Sequence, residues 1–275
     1  MHIETFRPKN RELQKYIESY YILKHSKEET NISYLAFPSI CSIVSVVNNA
    51  ENIISQDYIS VKPSQLRQLD TSLVCRFNNP ICFKYQGDIK EITISFRSLG
   101  LNAFLNNPLK DYSNSFFGPF IPFSDYEKEM KTIIEIEDNT LLAESLEKYW
   151  VAKLKGFRHP FLNNAVSIIE EQPKISTLEL ANEFNISRKT LIKHFKHHIC
   201  KTPTEYKKIL RFRRTMEEMR TIKKATTLTE LSYIADFFDQ SHMTTSFKSL
   251  TGLPPRIFFK NLTTIQNSNI QWIFN

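Results

Sequence analysis

Ser176-Thr-Leu-Glu179-Leu180-Ala181-Asn-Glu-Phe184-Asn185-Ile186-Ser187-Arg188-Lys189-Thr190-Leu191-Ile192-Lys193-His194-Phe195-Lys196 decides the fold, because the chain writes the same pattern a second time. The second writing is Thr227-Leu-Thr-Glu230-Leu231-Ser232-Tyr233-Ile-Ala235-Asp236-Phe237-Phe238-Asp239-Gln240-Ser241-His242-Met243-Thr244-Thr245-Ser246-Phe247-Lys248. Ser176 and Thr227 are 51 positions apart and Phe195 and Phe247 are 52 apart, so the second copy has one more residue in its turn. Each copy opens on a hydroxyl residue three before a glutamate, the pairing that satisfies free amides at a helix start. Leu180, Ala181 and Phe184, or Leu231, Ser232 and Ala235, then supply an inward face. A reversal within three or four residues needs a left-handed position. Asn185 and Asp236 occupy it, both types that tolerate it without being glycine. Ser187 and Asp239 read as caps of a second helix whose inward pairs, Leu191 with Phe195 and Met243 with Phe247, are four apart. The pattern predicts two helix-turn-helix units.

The outward face of each second helix carries the chemistry. In the first copy it offers Arg188, Lys189, Ile192, Lys193 and Lys196, cations and one apolar group on a helix narrow enough for a major groove about 12 Å wide. In the second it offers Gln240, Ser241, His242, Thr244 and Thr245, neutral hydrogen-bonding groups suited to base edges, with Lys248 for phosphate. Between the copies, Thr202 to Met219 reads as one helix with apolar Tyr206, Ile209, Leu210, Phe212, Met216 and Met219. Roughly 18 residues at about 1.5 Å each give a rod of about 27 Å, close to the ~34 Å between major grooves on one face of a duplex. Lys207, Lys208, Arg211, Arg213 and Arg214 on this rod are within reach of phosphates or of Glu205, Glu217 and Glu218.

Charge agrees with this division. Residues 1–159 carry 19 basic and 19 acidic side chains, residues 160–275 carry 17 and 10, so the whole formal charge of +7 lies in the second part. A neutral half joined to a basic half fits one part that meets a polyanion and one that does not. From Glu18 to Arg97 come short apolar, β-branched runs between Asn, Pro and Asp turns: Ser19–Leu23, Ile32–Phe37, Cys41–Val47, Tyr58–Val61, Ser72–Phe77, Ile81–Tyr85 and Glu91–Phe96. They predict an antiparallel sheet or barrel. After Arg97 the period becomes helical over Leu99–Leu105, Asp125–Ile136 and Thr140–Lys155, and Lys155–Pro160 reads as a linker because Gly156 and Pro160 interrupt helix.

Other functions find little support in the residues. Four cysteines (Cys41, Cys75, Cys82, Cys200) show no C-x-x-C and no zinc-type spacing, which favours free buried thiols. Residues 1–159 hold only His2, His25 and His159, scattered along the chain, and neither a G-x-S-x-G nor a phosphate-binding glycine loop is present. No catalytic, cofactor or metal residue is expected. Tyr20, Tyr21, Tyr34, Phe37, Phe77, Phe83 and Tyr85 would suit an apolar ligand pocket, but aromatics at strand spacing form plain core more often, and no effector residue is assigned. No segment approaches the roughly 20 apolar residues of a membrane span, and Met1–Asn10 lacks the apolar run of a signal peptide, so a cytoplasmic location is expected.

Phe237-Phe-Asp-Gln-Ser-His-Met-Thr-Thr-Ser-Phe-Lys248 followed by Thr251-Gly252-Leu-Pro-Pro255 resembles the signature of the AraC/XylS family of bacterial transcription regulators. The resemblance covers about residues 160 to 260. It departs from the family at Asp236 and Cys200, where a Gly is usual, and at Met243, where Phe is. It implies base-reading positions at Lys189, Ile192 and Lys193 in the first copy and at Gln240, Ser241 and Thr245 in the second. Arg188, Lys196, Lys248 and Arg211 are assigned to phosphates. The first 155 residues resemble the β-rich amino-terminal domains of Bacteroidetes members of the family, through Phe37-Pro-Ser-Ile-Cys-Ser-Ile-Val and Ile94-Ser-Phe-Arg97-Ser-Leu-Gly100-Leu-Asn-Ala-Phe-Leu105. That implies effector sensing or dimerisation. The expected architecture is therefore α+β over 1–157, an all-α tandem helix-turn-helix domain over 158–262 with its two units joined by a long helix, and a tail over 263–275. The expected function is a sequence-specific regulator, an activator by the commoner family role. Its partners would be double-stranded DNA and RNA polymerase, with a small-molecule effector or a second copy of the chain in addition. A constitutive DNA binder with a ligand-free dimerising scaffold is the alternative, and an enzyme domain fused to a DNA-binding tail a remoter one.

Overall fold

The computed structural model describes residues 1–55, 58–66, 69–221, 227–265 and 270–274. Among the described residues, twelve strands form two sheets. The first runs, from edge to edge, β1 (His2–Phe6), β2 (Ile17–His25), β9 (Ile89–Phe96), β4 (Ser42–Asn48), β7 (Leu69–Val74) and β10 (Phe117–Pro119). The second runs β11 (Thr263–Thr264), β12 (Gln271–Phe274), β3 (Ile32–Ala36), β8 (Ile81–Tyr85), β6 (Ile59–Pro63) and β5 (Ala50–Ile54). Pairing is antiparallel except between β6 and β8, which run parallel. Each run of residues read as a strand contributes one. The short edge strands β1, β5 and β10 have too little periodicity to be noticed in the sequence.

β9 shows why the sheets face as they do. Its residues alternate, and Ile92, Ile94 and Phe96 pack into a core with Phe104, Tyr126, Met130, Leu142, Leu146 and Trp150. That core lies under α1 (Tyr126–Ile134) and α2 (Asn139–Lys153), the latter capped by Asp138 accepting from the Thr140 and Leu141 amides at 2.9 Å. Both helices therefore cover the sheet, although Leu141 of α2 is exposed. The helix expected over Leu99–Leu105 shrinks to a single 3-10 turn, Gly100–Ala103, because Leu99 takes a left-handed φ of 62°. Gly100 is required there, since a Cβ would fall 2.1 Å from the Tyr16 carbonyl oxygen.

The carboxy-terminal part is helical: α3 (Leu162–Glu171), α4 (Thr177–Asn182), α5 (Arg188–His198), α6 (Pro203–Thr221), α7 (Leu228–Ile234), α8 (Gln240–Thr251) and α9 (Pro255–Asn261). α6 buries Tyr206, Ile209, Leu210, Phe212 and Met216, and its 19 residues make a rod of about 28 Å. The tail does not end as loop. β12 returns to the first part of the chain and pairs with β3, setting Ile273 opposite Leu35 and Phe274 opposite Tyr34, while residues 266–269 and 275 of the tail lie outside the described residues. Gly100→Ala is expected to lower stability by about 1–3 kcal/mol, because backbone and not a flexible side chain meets the added methyl; urea denaturation checks this, and an unchanged midpoint would refute the close approach.

Candidate nucleic-acid interface and adjoining cavity

Both units fold as their capping chemistry dictates. Ser176 Oγ accepts from the Glu179 amide at 3.0 Å while Glu179 accepts from the Ser176 amide at 2.8 Å, and Thr227 with Glu230 repeats this at 3.2 and 2.8 Å. The turns pass through Asn185 at φ 51° and Asp236 at φ 60°. Ser187 then caps α5 by accepting from the Thr190 amide, and Asp239 caps α8 by accepting from the His242 amide. Leu191, Phe195, Met243 and Phe247 are fully buried, so each second helix is fixed in rotation about its axis.

That rotation settles what faces outward. On α5, Arg188, Lys189, Lys193 and Lys196 are exposed and Ile192 is half-buried; on α8, Gln240, Ser241, Thr245 and Lys248 are exposed. Gln240 is tethered, its Oε1 accepting from Thr229 Oγ1 at 2.8 Å, which turns the amide N–H groups outward toward acceptors. Arg211 stands apart from these groups. It is half-buried on α6, its guanidinium carbon 5.7 Å from the centre of the Phe237 ring and its Nε buried without a partner. Four other cations of α6 also have partners within the protein: Lys207 donates to the Ile175 carbonyl oxygen at 2.5 Å, Lys208 to Ser249 Oγ at 2.6 Å, Arg213 to the Phe37 and Pro38 carbonyls, and Arg214 to that of Glu170, while Arg220 is exposed beside Glu217.

Residues of both sheets also line a cavity of about 740 Å³. β9 sends Glu91, Thr93 and Ser95 into it from alternate positions, the polar half of the period whose apolar half faces the helices. Of the seven aromatics weighed as pocket or core, Tyr21, Tyr34, Phe37, Phe77, Phe83 and Tyr85 line the cavity. Only Tyr20 turns to the helix-covered side, stacked on Phe6 with its hydroxyl on Glu147 at 2.7 Å. The reading as core and the reading as pocket wall meet in the same side chains, since these aromatics also belong to the hydrophobic clusters. The residues that both readings missed are Glu91, Thr93 and Ser95, which a strand buried on both faces with polar residues at every second place would have flagged. Trp272 of β12 and Arg213 of α6 complete the lining, so three separate parts of the chain meet at this space.

Residues 180–261 match a family model described as a helix-turn-helix domain. They form an AraC-type helix-turn-helix domain. No curated protein matches the chain in sequence. Among solved structures it is similar to ToxT from Vibrio cholerae. With the unsaturated fatty acid-bound wild-type protein of strain SCE256 it shares 12% identity, covering 96% of this chain and 100% of that one at a TM-score of 0.49. With ToxT of Vibrio cholerae O395 bound to (E)-4-(8-methylnaphthalen-1-yl)but-3-enoic acid it shares 11%, covering 94% and 99% at 0.46. Among the described residues no helix is long and apolar enough to cross a membrane.

The AraC-type domain is joined to the sheets by polar contacts that spacing did not reveal. His159, at the linker, meets His194 and His198 of α5. His159 Nδ1 accepts from the Phe161 and Leu162 amides at 3.3 and 3.2 Å, which leaves its Nε2–H to donate to His194 Nδ1 at 2.9 Å. His198 Nδ1 donates to Asn102 Oδ1 at 3.2 Å, and the Asn102 amide donates to the His198 carbonyl at 2.8 Å. Both ring nitrogens of His159 are thus engaged, and the cluster acts as a joint. Burial holds all three imidazoles below their ordinary range, with the neighbouring rings adding to it, and His198 falls to about 4. Just beyond α5, Cys200 takes the left-handed φ of 60° where the family has glycine. Its thiol lies against Cys75, whose hydrogen bond, with help from Arg76, draws it down to about 6.

Asp236→Val should lower stability by about 1–2 kcal/mol, the cost of a left-handed β-branched residue, whereas Asp236→Gly should not lower it; equal losses in thermal unfolding would exclude a left-handed requirement. The histidine joint predicts a pH dependence. Its folded pKa values lie below the unfolded value of about 6.5, so its stabilisation is present above pH 6.5 and is lost as pH falls toward about 4. Chemical denaturation of the wild type between pH 7.5 and 4.5 should show a loss that His198→Gln reduces; parallel profiles would exclude this joint.

Proposed function

We propose that the protein is a sequence-specific transcription regulator that sets α5 and α8 into successive major grooves of one duplex and recruits RNA polymerase, acting as an activator in the cytoplasm. The observation that supports it most is the pair of capped, turned and anchored readers at either end of one rod, with Lys189, Lys193, Gln240, Ser241 and Thr245 all in solvent. On this reading Ile192 gives apolar contact to thymine methyls, and Arg188, Lys196 and Lys248 grip phosphates. Arg211 contributes to the phosphate field only if its guanidinium leaves Phe237, so it ranks below the other three. We further propose that the cavity holds a small-molecule effector. Its volume is that of an ordinary ligand site, and its lining includes Arg213 of the rod and Trp272 of the strand that follows the second unit. Occupancy would then alter the seating of both readers.

Binding of duplex DNA, followed by fluorescence anisotropy against salt, tests the DNA-reading assignment. Lys193→Ala and Gln240→Ala should each reduce discrimination between specific and random duplex by about 1–3 kcal/mol. Lys248→Ala should weaken all sequences alike and lower the salt slope by about one. Unchanged discrimination in Gln240→Ala would remove α8 from base reading.

A further inference from the structure

The part of the cavity between Tyr85 and Trp272 contains one carboxylate, that of Glu91, with no ion-pair partner among the described residues. Glu91 is 4% exposed, and the partners of its carboxylate are hydroxyls: Ser45 Oγ at 2.6 Å and Thr93 Oγ1 at 2.8 Å on one oxygen, and the Tyr85 hydroxyl on the other. Hydroxyls satisfy lone pairs but leave the negative charge in place, and a buried charge is stable chiefly when it is paired. The walls beside it are aromatic. Tyr34 stacks on Trp272 with ring centres 3.8 Å apart and on Tyr85 at 5.8 Å, and Tyr21 meets Trp272 edge-on at 5.9 Å. These three tyrosines stay neutral phenols, since burial first, and then Glu91 and for Tyr34 also the neighbouring Tyr21, push their ionisation far upward.

Among the described residues the cations of the lining are Lys15, Arg97, Arg213 and Arg214, and each has other partners: Lys15 pairs with Glu12 at 2.8 Å and Arg97 donates to the Gln14 carbonyl oxygen at 3.1 Å. Arg97 is six residues further along the same strand direction, about 20 Å at about 3.3 Å per residue. Arg213 and Arg214 donate to the carbonyls of Phe37, Pro38 and Glu170, and Glu18, Glu170 and Glu217 line the cavity with them. An anionic head placed near Glu91 would face a like charge in a poorly hydrated space, whereas an ammonium would gain both a counter-ion and aromatic faces.

We propose that the cavity takes an organic cation, a primary amine or amidine on an apolar body, with Glu91 as its counter-ion and the Tyr34–Trp272 stack as its aromatic wall. The assignment rests on the effector reading above and names its chemical class. Because Trp272 lies on β12, such a ligand holds the tail strand against β3, and so acts on the segment that leaves the second helix-turn-helix unit.

Isothermal titration of the full chain with tryptamine, indole-3-acetate and tryptophol, and with octylamine, octanoate and octanol, tests this. Each amine should bind at least about tenfold more tightly than its carboxylate counterpart, a difference of about 1.4 kcal/mol. Glu91→Gln should abolish that preference. Trp272→Leu, a change in the tail strand, should weaken the amines several-fold if Glu91→Gln proves unable to fold by circular dichroism. Carboxylates binding as tightly as amines, or an amine preference that survives Glu91→Gln, overturns the cation assignment. Failure of both amines also overturns it. In that case binding of the carboxylates or alcohols leaves an effector cavity standing, and silence of all six compounds counts against the effector reading as well.

Discussion

Phe37 ties the two halves of this molecule together. It follows the end of β3, and its ring enters the core of the second helix-turn-helix unit, 4.9 Å from Phe258 and 6.5 Å from Phe212, while its carbonyl accepts from Arg213. One residue of the sheet part thus fills an apolar site in the helical part and satisfies a buried guanidinium on α6. Truncating its side chain would leave a cavity in the helical part, a change that costs several kcal/mol, while its backbone carbonyl would still accept from Arg213. The position of α6 relative to the sheets depends on this contact.

Around it the other contacts distribute themselves along both readers. The first unit is held by Asn102 on His198, by Ser98 and Tyr206 sharing a hydrogen bond at 2.6 Å, and by the buried Lys201 donating to the Cys75 carbonyl. The second is held by Phe37 and by β12 on β3. The cavity lies where these two sets of contacts meet, since Phe37, Ser98, Arg213 and Trp272 all line it. A ligand there touches residues that seat each unit. Allosteric coupling needs such differential contact and not mere proximity.

The arrangement also accounts for the charge division. Lys207, Lys208, Arg213 and Arg214 of α6 answer carbonyls and hydroxyls within the protein, so its contribution to a positive surface is smaller than its sequence suggests. Outward cations remain on α5 and α8, short helices whose inward residues leave no freedom of rotation, and at Lys174, Arg220, Arg256 and Lys260 outside them. The unequal chemistry of the two faces, cationic on α5 and neutral on α8, fits a first reader that leans on phosphate attraction and a second that leans on hydrogen-bond geometry.

The sequence by itself determined the two units down to single residues, because their signals are local. A hydroxyl three before a glutamate, an Asn or Asp at a left-handed turn and an apolar pair four apart act within a dozen residues, and no distant contact overrides them. It also determined most strands, from alternation. The tertiary structure alone decided that Tyr21, Tyr34 and Tyr85 face a cavity while Tyr20 faces a core, since strand period assigns a side but not what lies across from it. It decided that the tail becomes β12, that His159 meets His194 and His198, and that Arg213 answers Phe37. Each of these joins residues tens to hundreds of positions apart, and only the packing of two completed sheets against a completed helical domain brings them together.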